Sequence, residues 1–278
     1  MQKKDLQITA NKIRKNAVTA VYSAASGHPG GSLSIAEILS VLYFNEMRID
    51  PKNPKDENRD RFVLSKGHCS PALYGALAER GYFPVEDLKT FRQATSYLQG
   101  HPDMKGVPGV DMSTGSLGLG ISAAVGMAMA GKIDKKDYRV YAVLGDGELA
   151  EGQVWEAAMY AAHYKLDNLC IFVDLNGLQI DGATKDVMNS APVDEKFKAF
   201  GWHVISICAH DVDAILAALA EAKTVSGKPV AILAESVKGK GVSFMENACA
   251  WHGSAPNKEQ YEQAMAELDE AIRQLEVE

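Results

Sequence analysis

Two apolar runs, Val140-Tyr-Ala-Val-Leu144 and Leu169-Cys-Ile-Phe-Val173, each stop at a short polar signal. The first runs into Gly145-Asp146-Gly147 and the second into Asp174-Leu175-Asn176. Short apolar runs without polar alternation are strands covered on both faces, which is how strands of a parallel sheet read. The segment between them, Gly152 to Lys165, has helical character, so the unit is strand, helix, strand. Such a unit delivers Asp146 and Asn176 to the same carboxyl edge of one sheet, where open α/β sheets bind ligands.

The rest of the chain repeats this alternation. Helices are expected over Leu6 to Ala25, from Ser32 or Ser34 (as a cap) through Asn45, over Pro71 to Arg80, and over Gly118 to Gly131. Others are expected near Val193–Phe200, over Val212–Thr224 and over Asn257–Leu275, with further strands at Arg61–Leu64, Trp202–Ile207 and Pro229–Ala234. No linker, repeat or low-complexity stretch interrupts the pattern. The expectation is an α/β fold over residues 1–278, a single domain whose mostly parallel sheet is flanked by helices on both faces.

Composition then removes whole classes of function. A net charge of -7 leaves no basic surplus for neutralising nucleic-acid phosphates. No apolar run is long enough to span a bilayer, and the start of the chain lacks the apolar core of a signal peptide, so no membrane role is expected. Cys69, Cys170, Cys208 and Cys249 show no paired spacing and sit among apolar neighbours, which reads as reduced thiols in a cytoplasmic protein and not as a zinc site.

Asp146 offers charge and Asn176 a neutral oxygen, a combination suited to a hard divalent cation that also carries phosphate oxygens. The glycines beside Asp146 let backbone approach a ligand, and the helix expected after Gly147 presents its amino end to an anion. A capped strand-to-helix turn is the plain alternative for a lone Gly-Asp-Gly; the Asp-Leu-Asn after a second strand weighs against it. Histidine placement adds to the case. Of seven histidines, four lie in glycine- or proline-marked loops: His28, His68, His101 and His252. Imidazoles there can donate to phosphate or sugar oxygens and carry protons near neutral pH. His163, His203 and His210 fall in helix, strand or helix-entry contexts and read as structural. Trp155, Met159 and Tyr160 read as core or interface packing, and the small-residue helix around Gly126 as a close-packing surface between subunits.

Several of these motifs together resemble transketolase. They are Gly27-His-Pro-Gly-Gly-Ser32, Leu64-Ser-Lys-Gly-His68 with Pro71-Ala-Leu-Tyr74, Gly115-Ser-Leu-Gly118, Gly145-Asp-Gly-Glu-Leu-Ala-Glu-Gly152, and Lys238-Gly-Lys-Gly-Val242 with Trp251-His-Gly253. They stand in the family's order over residues 27 to 253. The resemblance covers the family's thiamine diphosphate-binding domain only, roughly the first half of a full-length transketolase. It implies thiamine diphosphate and Mg²⁺ (Ca²⁺ being possible) as cofactors, with Asp146, Asn176 and the carbonyl of Leu178 on the metal. It further implies that His68, Gly115, Ser116, Leu117, Gly147, Glu148, Asn176 and His252 contact the cofactor. His28, His101 and His252 would line the substrate channel, and Glu151 would reach across a subunit interface toward the cofactor-activating glutamate. Gly177 stands where many thiamine diphosphate enzymes carry a second Asn, a departure that transketolases share.

The activity implied is transfer of a two-carbon ketol unit from a ketose phosphate to an aldose phosphate. In the family the cofactor-activating Glu lies on a pyrimidine-binding domain, beyond the part that the resemblance covers. The resemblance therefore implies a split transketolase, in which a second chain supplies that domain and two copies of each form a heterotetramer. The alternatives are a half-subunit of another thiamine diphosphate enzyme (a two-oxoacid dehydrogenase alpha subunit or a deoxyxylulose phosphate synthase-like chain) and a non-catalytic cofactor-binding module.

Overall fold

The computed structural model describes residues 1–277. Five strands form one sheet: β1 (Arg61–Leu64), β2 (Val140–Gly145), β3 (Leu169–Leu175), β4 (His203–Cys208) and β5 (Val230–Glu235). Every pairing is parallel, in the order β1-β2-β3-β5-β4, with Gly145 beside Asp174 and Asp174 beside Ala234. The helices are α1 (Lys3–Ala24), α2 (Pro29–Leu33), α3 (Ala36–Val41), α4 (Ser70–Arg80) and α5 (Leu119–Ile133), then α6 (Gly152–His163), α7 (Thr184–Val187), α8 (Val193–Ala199), α9 (Val212–Thr224) and α10 (Lys258–Val277).

The unbroken apolar character of the strands now has its cause. Tyr141, Val143, Cys170, Phe172 and Ile232 point into one core, shared with α1, α3, α4 and α9. Their neighbours Val140, Ala142, Leu144, Ile171, Val173 and Leu233 point into a second core under α5, α6 and α8. A strand with a core on each face has no position where water would favour a polar side chain. The polar residues are therefore displaced to the strand ends. β3 hands the chain to α8 on one face, whereas β5 hands it toward α10, which packs on α1. The crevice between their carboxyl ends is a topological switch point, the place where such sheets bind ligands.

Two expectations need correcting. The helix expected to run to Asn45 from a serine cap is instead broken: α2 begins at Pro29, α3 follows after a kink, and Leu42–Glu46 closes as a π-helical turn. Neither Ser32 nor Ser34 caps it. Ser32 Oγ donates to the His28 carbonyl at 2.7 Å, and Ser34 Oγ donates to the buried Asp174 carboxylate at 2.8 Å. The kink keeps Ser34 on Asp174. The segment after Asp146 is also not an α-helix at first but a 3₁₀ turn, Gly147–Ala150, with α6 starting at Gly152. Among the cysteines, Cys69 and Cys170 are buried but Cys208 is exposed, because it ends the edge strand β4.

Trp155 stacks on Phe200 and packs at a tilt against Phe197, whereas Met159 and Tyr160 on the same helix stand exposed. A side chain at Gly126 would meet open space among the described residues, so α5 is uncovered at that position. Among the described residues, no helix is long and apolar enough to cross a membrane.

Candidate functional site

At the carboxyl ends of β1, β2 and β3, reaching across the crevice to the segment that follows β5, a cavity of about 420 Å³ opens among His28, Lys66, His68, Asp146, Asn176 and His252. Gly115, Leu117, Gly147, Glu148, Leu178, Gln179 and Lys238 complete much of its wall. Most residues singled out from the sequence thus meet in one place, although the stretch from His28 to His252 separates them along the chain.

Asp146 is 5% exposed. Its Oδ1 accepts from the Gly147 amide at 2.8 Å, and its Oδ2 accepts from the Gly177 amide at 2.7 Å and from Thr184 Oγ1 at 3.2 Å. Burial, and then the nearby Asp174 charge, raise its pKa above the ordinary aspartate value despite these donors. A carboxylate under that strain is relieved by a cation. Gly147 leaves room for Gln179: a β-carbon there would lie 2.8 Å from the Gln179 amide nitrogen and would push that side chain aside.

Asn176 is oriented by its neighbour. Its Nδ2 donates to Asp174 Oδ2 at 2.8 Å, while Oδ1 accepts from the Leu178 amide at 3.1 Å. Turning the amide over would set oxygen against carboxylate, so Asp174 fixes which atom is the free acceptor. Asp174 itself is fully buried and also accepts from Lys66 Nζ at 2.7 Å, from Ser34 Oγ, and from Ser236 Oγ through its other oxygen. Burial would raise the Asp174 carboxyl, but the Lys66 ammonium holds it below its ordinary value. Asp174 and Lys66 are the main residues that sequence reading missed. Their signal was present: a polar residue just inside a buried strand end, and a lysine in the Ser65-Lys-Gly-His68 loop.

Three of the histidine rings sit close together. His28 lies 5.3 Å from His68 and 5.4 Å from His252 between ring centroids, and His68 lies 5.2 Å from His252. His101 is farther out, 6.5 Å from His28. Burial first, and then neighbouring positive groups, lower His28 and His68 to about 4 and His252 to about 3. The three rings are therefore neutral at physiological pH. Among the described residues, His28 Nδ1 is buried without a partner, and so is Gln179 Oε1, leaving polar atoms at the cavity without a hydrogen bond. Lys238, also missed from the sequence, donates to the Leu178 carbonyl at 3.1 Å and meets His252 Nδ1 at 3.0 Å. Burial lowers its pKa from the usual lysine value.

Glu148 lies in the wall, but both its oxygens serve protein donors: Ser65 Oγ, the Gly118 amide at 2.9 Å and the Gly145 amide at 3.0 Å. It ties three loops together. Ser116 and Glu151 are exposed and, with His101, stand outside the cavity wall; Glu151 packs by its stem against Gly118 at the rim. His163 is exposed, His203 pairs with Glu221 at 2.7 Å and His210 with Glu37 at 3.1 Å, all away from the cavity.

Comparison with known proteins gives a consistent result. The family model of the transketolase thiamine diphosphate-binding domain matches residues 6–271. The chain is 50% identical to a 6-deoxy-6-sulfo-D-fructose transketolase subunit from Clostridium sp. (strain MSTE9), over 96% of this chain and 98% of that one. It is 44% identical to an apulose-4-phosphate transketolase subunit from Phocaeicola vulgatus, over 100% of this chain and 99% of the relative. Its backbone overlays a transketolase from Campylobacter jejuni with a TM-score of 0.91 at 36% identity, covering 99% of this chain and 46% of the larger one. The chain thus spans about half the length of that solved structure.

Proposed function

This chain belongs to the transketolase family through its thiamine diphosphate-binding domain, and from that premise we propose that it is the amino-terminal subunit of a two-chain transketolase. The observation that carries the proposal is the cavity at the switch point, where a carboxylate, an oriented amide oxygen, two lysines and three neutral imidazoles converge.

The residues present fit thiamine diphosphate with a divalent cation. Asp146, Asn176 Oδ1 and the Leu178 carbonyl form a hard-oxygen set with a single negative charge, suited to Mg²⁺ or Ca²⁺ already carrying phosphate oxygens. The unpartnered His28 Nδ1 and Gln179 Oε1 are the polar atoms such a ligand would satisfy. His68, the backbone of Gly115 to Leu117, Gly147 and His252 would hold the cofactor, with Glu148 acting on it through the loops it ties. Bound there, the cofactor supplies the carbanion-stabilising centre that ketol transfer needs. The chain's own part is to orient, to exclude water and to handle protons. Neutral His28, His101 and His252 donate to sugar oxygens without adding charge beside Lys238, and each can take up a proton released on the substrate.

A second chain would complete the site with the pyrimidine-binding domain and the activating glutamate, two copies of each chain forming a closed heterotetramer. Two relatives named as transketolase subunits, with which this chain aligns over nearly their whole length, support that arrangement. Exposed Glu151 at the cavity rim and the uncovered Met159 and Tyr160 suit a surface that meets the partner. The substrates would be ketose and aldose phosphates, and the two relatives' names extend the donor class to a sulfonated ketose and to apulose 4-phosphate. Free cysteines suit a reducing compartment, and we place the enzyme in the cytoplasm. Assaying ketol transfer by this chain alone and with the candidate partner tests the proposal. Activity only in the mixture is expected; full activity of the isolated chain would refute the two-chain reading.

A further inference from the structure

Outside the cavity, the structure holds a buried charged relay that none of the roles above uses. Arg14 on α1 grips Glu37 on α3 through Nη2, at 2.7 and 2.6 Å to the two carboxylate oxygens. The two side chains are only 3% and 9% exposed. Burial would raise the Glu37 carboxyl, but Arg14, followed by His210, brings it down to about 2. Glu37 Oε2 lies 3.1 Å from His210 Nδ1, on the loop between β4 and α9. On the far side of the ring, His210 Nε2 is 2.9 Å from the Val237 amide. A backbone N–H can only donate, so Nε2 accepts and Nδ1 carries the proton that Glu37 receives. The relay thus runs Arg14, Glu37, His210, Val237, with one tautomer permitted.

What the relay holds is the residue before Lys238. The same segment is fastened again at Gly239, whose amide donates to the Gly30 carbonyl at 2.9 Å, beside the His28 loop. Gly239 has a φ of +82°, and a β-carbon there would collide with the Met245 carbonyl oxygen, so this turn has a single tight conformation. Between the two fastenings the Lys238 side chain projects inward to Leu178 and His252. Lys238 is 2% exposed and its ammonium loses hydration on burial, so it stays inside only while the backbone beneath it is held.

We propose that His210 is a positioning residue: wired to Arg14 and Glu37, it fixes the Val237 backbone and thereby sets the Lys238 ammonium in the cavity wall. The placement of Lys238 follows from the geometry alone, whereas its consequence for an anionic ligand rests on the cofactor reading above.

Amine labelling of ligand-free protein, read at Lys238 by mass spectrometry, tests the placement without a cofactor. Lys238 should be protected in the native chain and in His210→Gln, which keeps an acceptor for the Val237 amide, and labelled at least about tenfold faster in His210→Phe. Equal labelling in native and His210→Phe protein would overturn the proposal. Where His210→Phe does not fold, Val237→Pro removes the donor while also fixing φ there, and unchanged protection in that variant overturns the proposal equally. Calorimetric titration of thiamine diphosphate with Mg²⁺, in the presence of the partner chain, then tests the consequence. His210→Phe should weaken binding about tenfold, and Lys238→Met combined with it should weaken binding no more than Lys238→Met alone. Fully additive losses would mean that His210 does not act through Lys238. Absence of binding by the native protein would refute the cofactor reading and leave the labelling result standing.

Discussion

The two ends of the same strands are built on opposite principles. At the carboxyl end, Lys66, Asp146, Glu148, Asp174 and Lys238 are each 5% exposed or less. They are satisfied by a few directed bonds, from the Lys66–Asp174 pair, from backbone and from neutral side chains such as Ser34, Ser65, Thr184 and Asn176. At the amino end the residues before β2 and β3 border a polar cleft with Lys132, Lys136 and Lys223. Lys132 and Lys223 are exposed and Lys136 is half-buried; they pair with Asp167, Glu46 and Glu57 respectively. Charge is equally plentiful at both ends. The difference is desolvation: exposed pairs contribute about 0–1 kcal/mol, whereas a buried charge that loses its partner costs several times more. Buried charge of this density costs stability, which marks the carboxyl edge as the candidate site.

The largest expected effect comes from stranding one of those charges. Lys66→Met leaves Asp174 buried without its ammonium and should cost about 3–5 kcal/mol in urea unfolding. Adding Asp174→Asn should return part of that loss, because no charge is then stranded. A loss below about 1 kcal/mol for Lys66→Met would erase the contrast between the two ends.

Acid provides the second probe. Glu37 is depressed to about 2 in the folded chain, below the ordinary 4.5, so its contribution is present above the unfolded value and is lost as pH falls toward 2. The cavity histidines act earlier. His28, His68 and His252 have folded values of about 4, 4 and 3, so below about 6.5 the unfolded chain binds protons that the folded chain refuses. Stability should therefore fall from about pH 6.5 toward about pH 4, and His68→Asn should flatten that slope. An unchanged slope in the variant would mean that the ring is already protonated in the fold.

At the amino end, Lys132→Ala and Lys136→Ala should each change stability by about 0.5 kcal/mol or less, in the same unfolding assay. A loss matching that of Lys66→Met would show that exposure is the wrong criterion.

Much of the carboxyl edge was legible in the sequence, because glycine, histidine and acid in loops after apolar strands are rare enough to stand out. The parallel sheet, the order of its helices and the convergence of His28, His68 and His252 with Asp146 and Asn176 all follow that signal. What the sequence hid is what depends on distant pairing. Asp174 looked like the end of a strand until Lys66, Ser34 and Ser236 were found to close on it. Ser34 looked like a helix cap because local propensity favours one, and its tertiary bond to Asp174 overrode that preference. His210 looked merely structural, since nothing local shows that its ring joins an ion pair on two helices to the loop that carries Lys238.

The central claim is that Asp146 and Asn176 form a metal and diphosphate cradle at the switch point. Titrating thiamine diphosphate into this chain and its proposed partner, with and without Mg²⁺, tests it most directly when native protein is set beside Asp146→Ala. The account predicts saturable, Mg²⁺-dependent binding to the native complex, raising unfolding free energy by about 2.7 kcal/mol at a hundredfold excess over Kd. It also predicts that Asp146→Ala abolishes the Mg²⁺-dependent part while the protein remains folded. Binding of equal strength in Asp146→Ala, or binding indifferent to Mg²⁺, would contradict it.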